Sequence, residues 1–428
     1  MRSKPTESGL RSAPGNDMQV VFISNFINHH QLPFCNALKK RLGDDFIFIQ
    51  SEPMEEERVA MGWDVNVKNI SYVKCFYDDE KLCRDLILNA DVLIAGWTDK
   101  IDIVMQRMSQ RKLTIRISER IYREGQWKAI SPRGLISKYR EHIRYRNYPV
   151  YLLCAGAYVA SDFNLIKAYP NKMYKFGYFP QTMKYHLDKL FAMKDSSGMI
   201  EIIFAGRFMK LKHPEYMIWL ARDLKEENEK RAQRDEPLLP NYRIHMVGAG
   251  ELEHPLRTLV TKYGLLDQVI FYGFQSPEKV RTLMERCHIH VFPSDELEGW
   301  GAVVNEAMNS GCAVVASADA GAVPYLIKQW ENGVMFPGNN YDKMKDAVIY
   351  LMTHGREREE MANRAYHTIL DSWNADNVVD TLLYMIEGWK EGLNHPPLEG
   401  PLSKAPVISP GNMFQLLEGS GTGKERTK

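Results

Sequence analysis

Along most of the chain, short apolar runs rich in β-branched residues alternate with stretches whose apolar positions recur every three or four residues. Runs at 19–24, 46–50, 91–96, 113–118 and 150–154 predict strands, with a helical pattern between several of them. Apolar strands separated by amphipathic helices describe a parallel sheet covered on both faces, because a strand buried on both sides has no polar face to show. The pattern then restarts. Strands are predicted at 201–206, 243–247, 269–273, 288–292 and 313–316, with a helix over 214–228. The expected fold class is α/β, with two Rossmann-like domains facing each other across a cleft. The first domain spans 18–185 and the second 199–371, joined by a polar linker at 186–198. A helix-like stretch at 372–392 leads into a Pro/Gly/Ser-rich tail at 393–428. That tail and the polar residues 1–17 carry too little apolar surface to offset chain entropy and are expected to be disordered.

The totals narrow the possible classes. A chain of 428 residues, 44% hydrophobic and 25% charged, suits a soluble protein of two domains. A formal net charge of +1 supplies no basic field, so no nucleic-acid partner is expected. The six cysteines (Cys35, Cys75, Cys83, Cys154, Cys287 and Cys312) form no C-x-x-C pair and have no histidines at zinc spacing. Reduced, packed thiols point to the cytosol. The chain opens with no signal-like apolar core, and no run approaches the ~18 apolar residues of a membrane span. A cytoplasmic protein is expected, with any membrane contact peripheral and on the inner face of the cell membrane.

The most informative segment follows the strand at 288–292 and reads from Ser294 through Glu298, Gly299, Trp300, Gly301, Ala302 and Val303 to Glu306 and Met308. It lies at the carboxyl end of a strand, where open α/β sheets bind ligands. Gly299 and Gly301 give a side-chain-free entry to a helix beginning near Ala302 and Val303, whose free amides and positive dipole end suit a diphosphate. Glu298 precedes that terminus, and Glu306 follows it by about 7 Å along the axis, at four or five residues into the helix. Two carboxylates repel an anion between them, but they accept hydrogen bonds from hydroxyls on either side of it. A nucleotide sugar has that layout, which places Glu298 at the sugar and Glu306 at the ribose. The pair by itself fits a solvated loop carboxylate and a helix-face carboxylate equally well. Arg207 and Lys212, in the loop after the strand at 201–206, add two cations able to neutralise a diphosphate. Gly248 and Gly250 form a weaker glycine turn after the next strand, since Glu253 stands where a dinucleotide fingerprint has its third glycine. Phe274 is a candidate for stacking on the base.

These motifs, taken in order, resemble the donor domain of the retaining GT-B glycosyltransferases, in particular the family 4 (glycosyl transferases group 1) enzymes. The features that match are Gly206-Arg207 with Lys212, Gly248-Ala-Gly250, the 269–273 strand, Glu298 with Glu306, Gly311-Cys-Ala-Val-Val315 and Gly321-Ala-Val-Pro324. The likeness runs from residue 202 to roughly 371. It implies a GT-B fold, a nucleoside diphosphate sugar as donor, and transfer to a glycan, lipid-linked or small-molecule hydroxyl with retention of configuration. It implies further that Arg207 and Lys212 hold the diphosphate, with Glu298 at the sugar and Glu306 at the ribose. The helix from Trp373 to Glu391 is then the one that crosses back to the first domain. In the mechanism it implies, the leaving phosphate oxygen takes the acceptor's proton. A covalent role for Glu298 ranks below its role as a sugar ligand. No Asp-x-Asp element occurs in the sequence, and neither a metal nor a cofactor is expected.

The first half departs from the family, whose members often carry a glycine-rich loop after the first strand. Here that loop reads Asn25-Phe-Ile-Asn28-His29-His30-Gln-Leu-Pro33. Asn28, His29 and His30 are candidates for the acceptor or the leaving phosphate, and local loop structure explains them equally. Glu119 is a candidate for the acceptor, set against a salt bridge to Arg120 or Arg123. Segments such as 118–122 and 175–180 resemble bacterial capsule and surface-polysaccharide transferases. From Arg107 to Arg146, twelve Lys/Arg stand against three Glu with tyrosines and isoleucines interleaved. That pattern describes either a surface for an anionic membrane near a lipid-linked acceptor or a solvated helix face. The competing functional readings are a non-catalytic nucleotide-sugar-binding subunit and another GT-B enzyme, such as a sugar-nucleotide epimerase or a phosphorylase.

Overall fold

The structure, a computed structural model, describes residues 18–55 and 66–410. The 1–17 terminus and the last part of the tail, 411–428, lie outside the described residues. The first sheet has seven parallel strands: β1 (Val20–Ser24), β2 (Phe46–Gln50), β3 (Val73–Cys75), β4 (Val92–Ala95), β5 (Thr114–Ser118), β6 (Val150–Ala155) and β7 (Met173–Phe176). Their order is β3-β2-β1-β4-β5-β6-β7. The second has six: β8 (Ile200–Ala205), β9 (Tyr242–Val247), β10 (Val269–Gly273), β11 (Ile289–Phe292), β12 (Ala313–Ser317) and β13 (Val334–Phe336). Their order is β10-β9-β8-β11-β12-β13, again all parallel.

Both sheets reverse direction at their first strand. The β1/β4 and β8/β11 pairs are neighbours in space but not in sequence, so each sheet opens a crevice beyond its carboxyl ends at that point. Central strands are buried end to end, as in β1 and β4. The two-domain α/β expectation holds, and the boundary between domains shifts. The segment expected to be a linker folds instead as the helix Leu187–Asp195 and docks on the second domain. Its buried Lys194 donates to the carbonyls of Cys287 at 2.6 Å and Met284 at 3.0 Å. The connection between domains is the stretch 177–186. It is tied down by Asn309, whose side chain bonds the amide of Met183 at 2.8 Å and its carbonyl at 3.0 Å, and by Arg281, which donates to Gln181 O at 2.9 Å.

Trp300 is 1% exposed and fills the junction. Its ring lies against Gly177, where a Cβ would collide with it, and near Tyr325 and Trp373. The helix Ala375–Lys390 crosses back onto the first domain. Trp389 stacks on Tyr151 with centroids 3.9 Å apart, and Arg41 forks onto Asp380 at 2.8 and 3.0 Å. The tail corrects the expectation of disorder over 394–410. Leu402 is fully buried and donates its amide to Lys175 O at 2.7 Å, and Ser403 O accepts from Lys175 N at 2.8 Å. Backbone bonds to the edge strand β7 and one buried leucine supply what the composition of the segment lacks.

Candidate active site

Two loops flank the crevice of the second sheet. The loop after β8 begins Gly206-Arg207-Phe208. Phe208 is fully buried, its amide bonds Ala249 O at 2.9 Å, and its carbonyl accepts from Leu252 N at 3.0 Å. That anchor leaves Arg207 exposed and turns the chain through a short 3-10 element, Lys210–Lys212, into His213 with φ 46°. The loop after β11 is tied to it by Asp295 N bonding Leu211 O at 2.9 Å. Between them the Lys212 ammonium and the Glu298 carboxylate form an ion pair, with the side chains 15% and 14% exposed. Lys212 also lies over the Phe292 ring, 5.5 Å from its centroid. Two residues 86 apart in sequence thus meet at the topological switch point. They meet as partners of each other, where the sequence reading assigns them separately to phosphate and sugar.

Glu306 is the fourth residue of the helix Val303–Asn309, whose N-cap is Ala302, within the four or five residues expected. Burial raises the pKa of Glu306, and the charge of Arg281 opposes that rise. Gly301 has φ 86°, and a Cβ there would meet the Phe292 ring at 2.6 Å. The glycines of the second turn also have a packing reason. At φ 141° and 157°, Gly248 and Gly250 bring their backbone against Gly206 and Phe208, and a Cβ at Gly250 would lie 2.5 Å from Phe208 O. These two glycines hold the Arg207 loop in place. Phe274, 52% exposed, follows β10 at the far edge of the same sheet end.

On the first domain, Asn28 folds its own loop: its side-chain oxygen accepts from the amides of His30 at 3.0 Å and Gln31 at 3.2 Å. The His29 and His30 rings pack with centroids 3.8 Å apart, tilted 46° to each other. Burial lowers the pKa of His29, against which Glu278 of the second domain pulls upward. Burial, with the charge of His29 next, brings His30 down to about 3. Glu119 makes the second of the two salt bridges open to it in the sequence, the one to Arg123. It accepts from Tyr178 OH at 2.6 Å, and its carboxylate also lies so close to Gly299 that a Cβ there would be 2.6 Å from it. Arg120 instead pairs with the buried Asp162 at 3.4 Å. The domains touch at the base of the cleft, where Ala157 N bonds Gly321 O at 2.9 Å and Tyr158 OH donates to Ala318 O. Trp97 is absent from the sequence reading. It is 66% exposed just after β4, its carbonyl held by Asn25 N at 2.7 Å. An aromatic directly after a strand at the switch point is the signal that marks it. Among the described residues, no group of three or more His, Cys, Asp or Glu is placed to hold a metal ion.

Residues 191–368 match the family model for glycosyl transferases group 1. An uncharacterized glycosyltransferase of Methanocaldococcus jannaschii is 26% identical over 195 residues, 46% of each chain. A putative colanic acid biosynthesis glycosyltransferase of Escherichia coli K12 is 28% identical over 153 residues, 35% of each. The matched region thus spans less than half the length of these curated relatives. Among solved structures, HepE of Anabaena in complex with UDP superposes with a TM-score of 0.63 at 14% identity, over 86% of this chain and 100% of that one. At that identity the likeness establishes the fold, which is GT-B: two Rossmann-like domains across a cleft, with a terminal helix crossing back.

Proposed function

We propose that this chain is a glycosyltransferase that moves a sugar from a nucleoside diphosphate donor to a hydroxyl acceptor with retention of configuration. The observation that carries the reading is the joining of Lys212 and Glu298, with Arg207 beside them, at the crevice between β8 and β11. The match of this domain to glycosyl transferases group 1 supports the activity. A neighbour of the same fold was solved with UDP and UDP-glucose, which makes uridine the first base to test.

When the donor enters, its diphosphate replaces Glu298 on Lys212, and Arg207 adds a second cation from the exposed side of the loop. Glu298, released from the ammonium, accepts from a sugar hydroxyl, and Glu306 accepts from the ribose. In the transfer the bond from the anomeric carbon to the phosphate oxygen breaks. The acceptor oxygen bonds the same face of that carbon, and its proton passes to the departing phosphate. Lys212 and Arg207 stabilise the charge that builds on that leaving group, while the two domains hold donor and acceptor in line. His29, His30, Glu119 and Trp97 border the acceptor side.

The test is a panel of UDP-, GDP- and ADP-sugars offered to the full chain, with nucleoside diphosphate release as readout and proton NMR of the product's anomeric signal. Release from one donor, product retaining the donor's configuration, and a loss of about a hundredfold or more in Lys212→Ala support the proposal. Release that is unchanged in Lys212→Ala, or an inverted product, contradicts it.

A further inference from the structure

The charged stretch of the first domain separates into two parts once folded. Arg107 is fully buried, donating to the carbonyls of Ile87 at 2.8 Å, Leu113 at 3.0 Å and Asp91 at 3.2 Å. Arg116 is 9% exposed and Arg120 is spent on Asp162. These cations serve the fold. Most of the remainder lies in the loop after β5 and the helix Pro132–Glu141, and there the usual arrangement is reversed. None of the helix residues is buried. Its apolar side chains Leu135, Ile136 and Tyr139, spaced to share one face, point outward at 40%, 63% and 57% exposure. The preceding turn adds Trp127 at 69% and Ile130 at 80%. A cluster of five exposed apolar side chains on one short segment is what a soluble surface avoids unless something covers it.

The charges around the cluster say what that is. From Arg123 to Arg146 there are seven Lys/Arg and two Glu. Both glutamates are already engaged, Glu124 with Lys128 and Glu141 with Lys138 at 4.0 Å and Ser137. Arg133 and Arg140 stand exposed on the same helix as the apolar face. A tryptophan, a tyrosine and isoleucines ringed by uncompensated arginines match an interface that is apolar within and anionic at its rim. We propose that the surface formed by Trp127, Ile130, Leu135, Ile136 and Tyr139 with Arg133 and Arg140 seats the protein on an anionic lipid bilayer. The inference stands on exposure and charge and does not depend on the transferase reading.

The experiment is co-sedimentation of the full chain with vesicles of phosphatidylcholine alone and of phosphatidylcholine mixed with phosphatidylglycerol, at low and high salt. The wild type is expected to bind the mixed vesicles at low salt, to release at high salt, and to ignore phosphatidylcholine. Arg133→Gln with Arg140→Gln is expected to weaken binding about thirtyfold. Ile130→Asp with Ile136→Asp is expected to abolish it while leaving thermal unfolding unchanged, because both side chains are exposed. Quenching of tryptophan emission by brominated lipid should fall in Trp127→Phe. Equal partitioning of the wild type and the Ile130/Ile136 variant overturns the proposal. So does a wild type that ignores the mixed vesicles but dimerises in solution through this face, losing the dimer in that variant.

Discussion

Lys212 and Glu298 neutralise each other, and this sets how single substitutions there will behave. On the proposed mechanism Lys212→Ala removes a cation from the diphosphate and leaves Glu298 unpaired, so both donor affinity and turnover should fall. Glu298→Gln keeps a hydrogen-bonding group but frees the ammonium. Donor binding should therefore survive while turnover drops, and steady-state kinetics on the two variants separates KM from kcat. At Gly177 a methyl group has no room, since it would enter the Trp300 ring. Gly177→Ala should cost about 1–3 kcal/mol of stability in urea unfolding, the usual penalty of overpacking. Buried histidines make the fold acid-sensitive. Burial lowers His290 from its ordinary 6.5 to about 3, and burial followed by the neighbouring His29 lowers His30 equally far. Unfolded chains bind these protons from pH 6.5 downward while the folded chain does not. Stability is therefore full above 6.5 and falls toward pH 3, by about 1.4 kcal/mol per pH unit for each group. His290→Phe should blunt that loss in denaturation measured at pH 7 and pH 5; an identical slope contradicts the assignment. At this scale the sequence shows which residue types matter, but not that Glu298 and Lys212 are partners, because their contact spans 86 positions of chain.

Among the elements, the long central strands are legible because burial on both faces forces continuous apolar runs. The strands that the pattern misses are β3, β7 and β13, of three, four and three residues. Each lies at the edge of its sheet. An edge strand is defined by pairing with one distant neighbour, and three or four residues carry no readable period. The helix Leu187–Asp195 carries a weak signal, Leu187, Leu190 and Phe191 on one face, which the polar residues around them mask. The tail over 394–410 misleads for the opposite reason: composition averages away the single Leu402 that anchors it. The crossover helix is the element whose role is most plainly tertiary. Trp389 is 5% exposed and stacked on Tyr151 of the other domain. Trp389→Ala should cost about 3–5 kcal/mol and increase limited proteolysis near the helix. Cleavage and unfolding indistinguishable from the wild type would show that the helix docks without it.

For the whole molecule, two sheets of the same winding present their switch points to one cleft, and the chain closes its base with backbone contacts that only glycines permit. Gly156 and Gly321 approach so closely that a Cβ on Gly156 would lie 3.3 Å from both Gly321 Cα and Gly299 O. This contact joins the first domain to the loop carrying Glu298. The two-domain plan is legible from the restart of the strand pattern. The contact between the domains is not, because it depends on which loops meet.

The account rests on nucleotide binding at the β8/β11 crevice, and thermal unfolding in the presence of UDP, GDP, ADP and CDP tests it most directly. A nucleotide at a hundred times its dissociation constant adds about 2.7 kcal/mol to the native state. One nucleotide should raise the Tm of the wild type, and Arg207→Ala and Glu306→Ala should each remove that rise while leaving the ligand-free Tm in place. No rise with any nucleotide at millimolar concentration, or a rise that both variants retain, would place the ligand elsewhere and contradict the account.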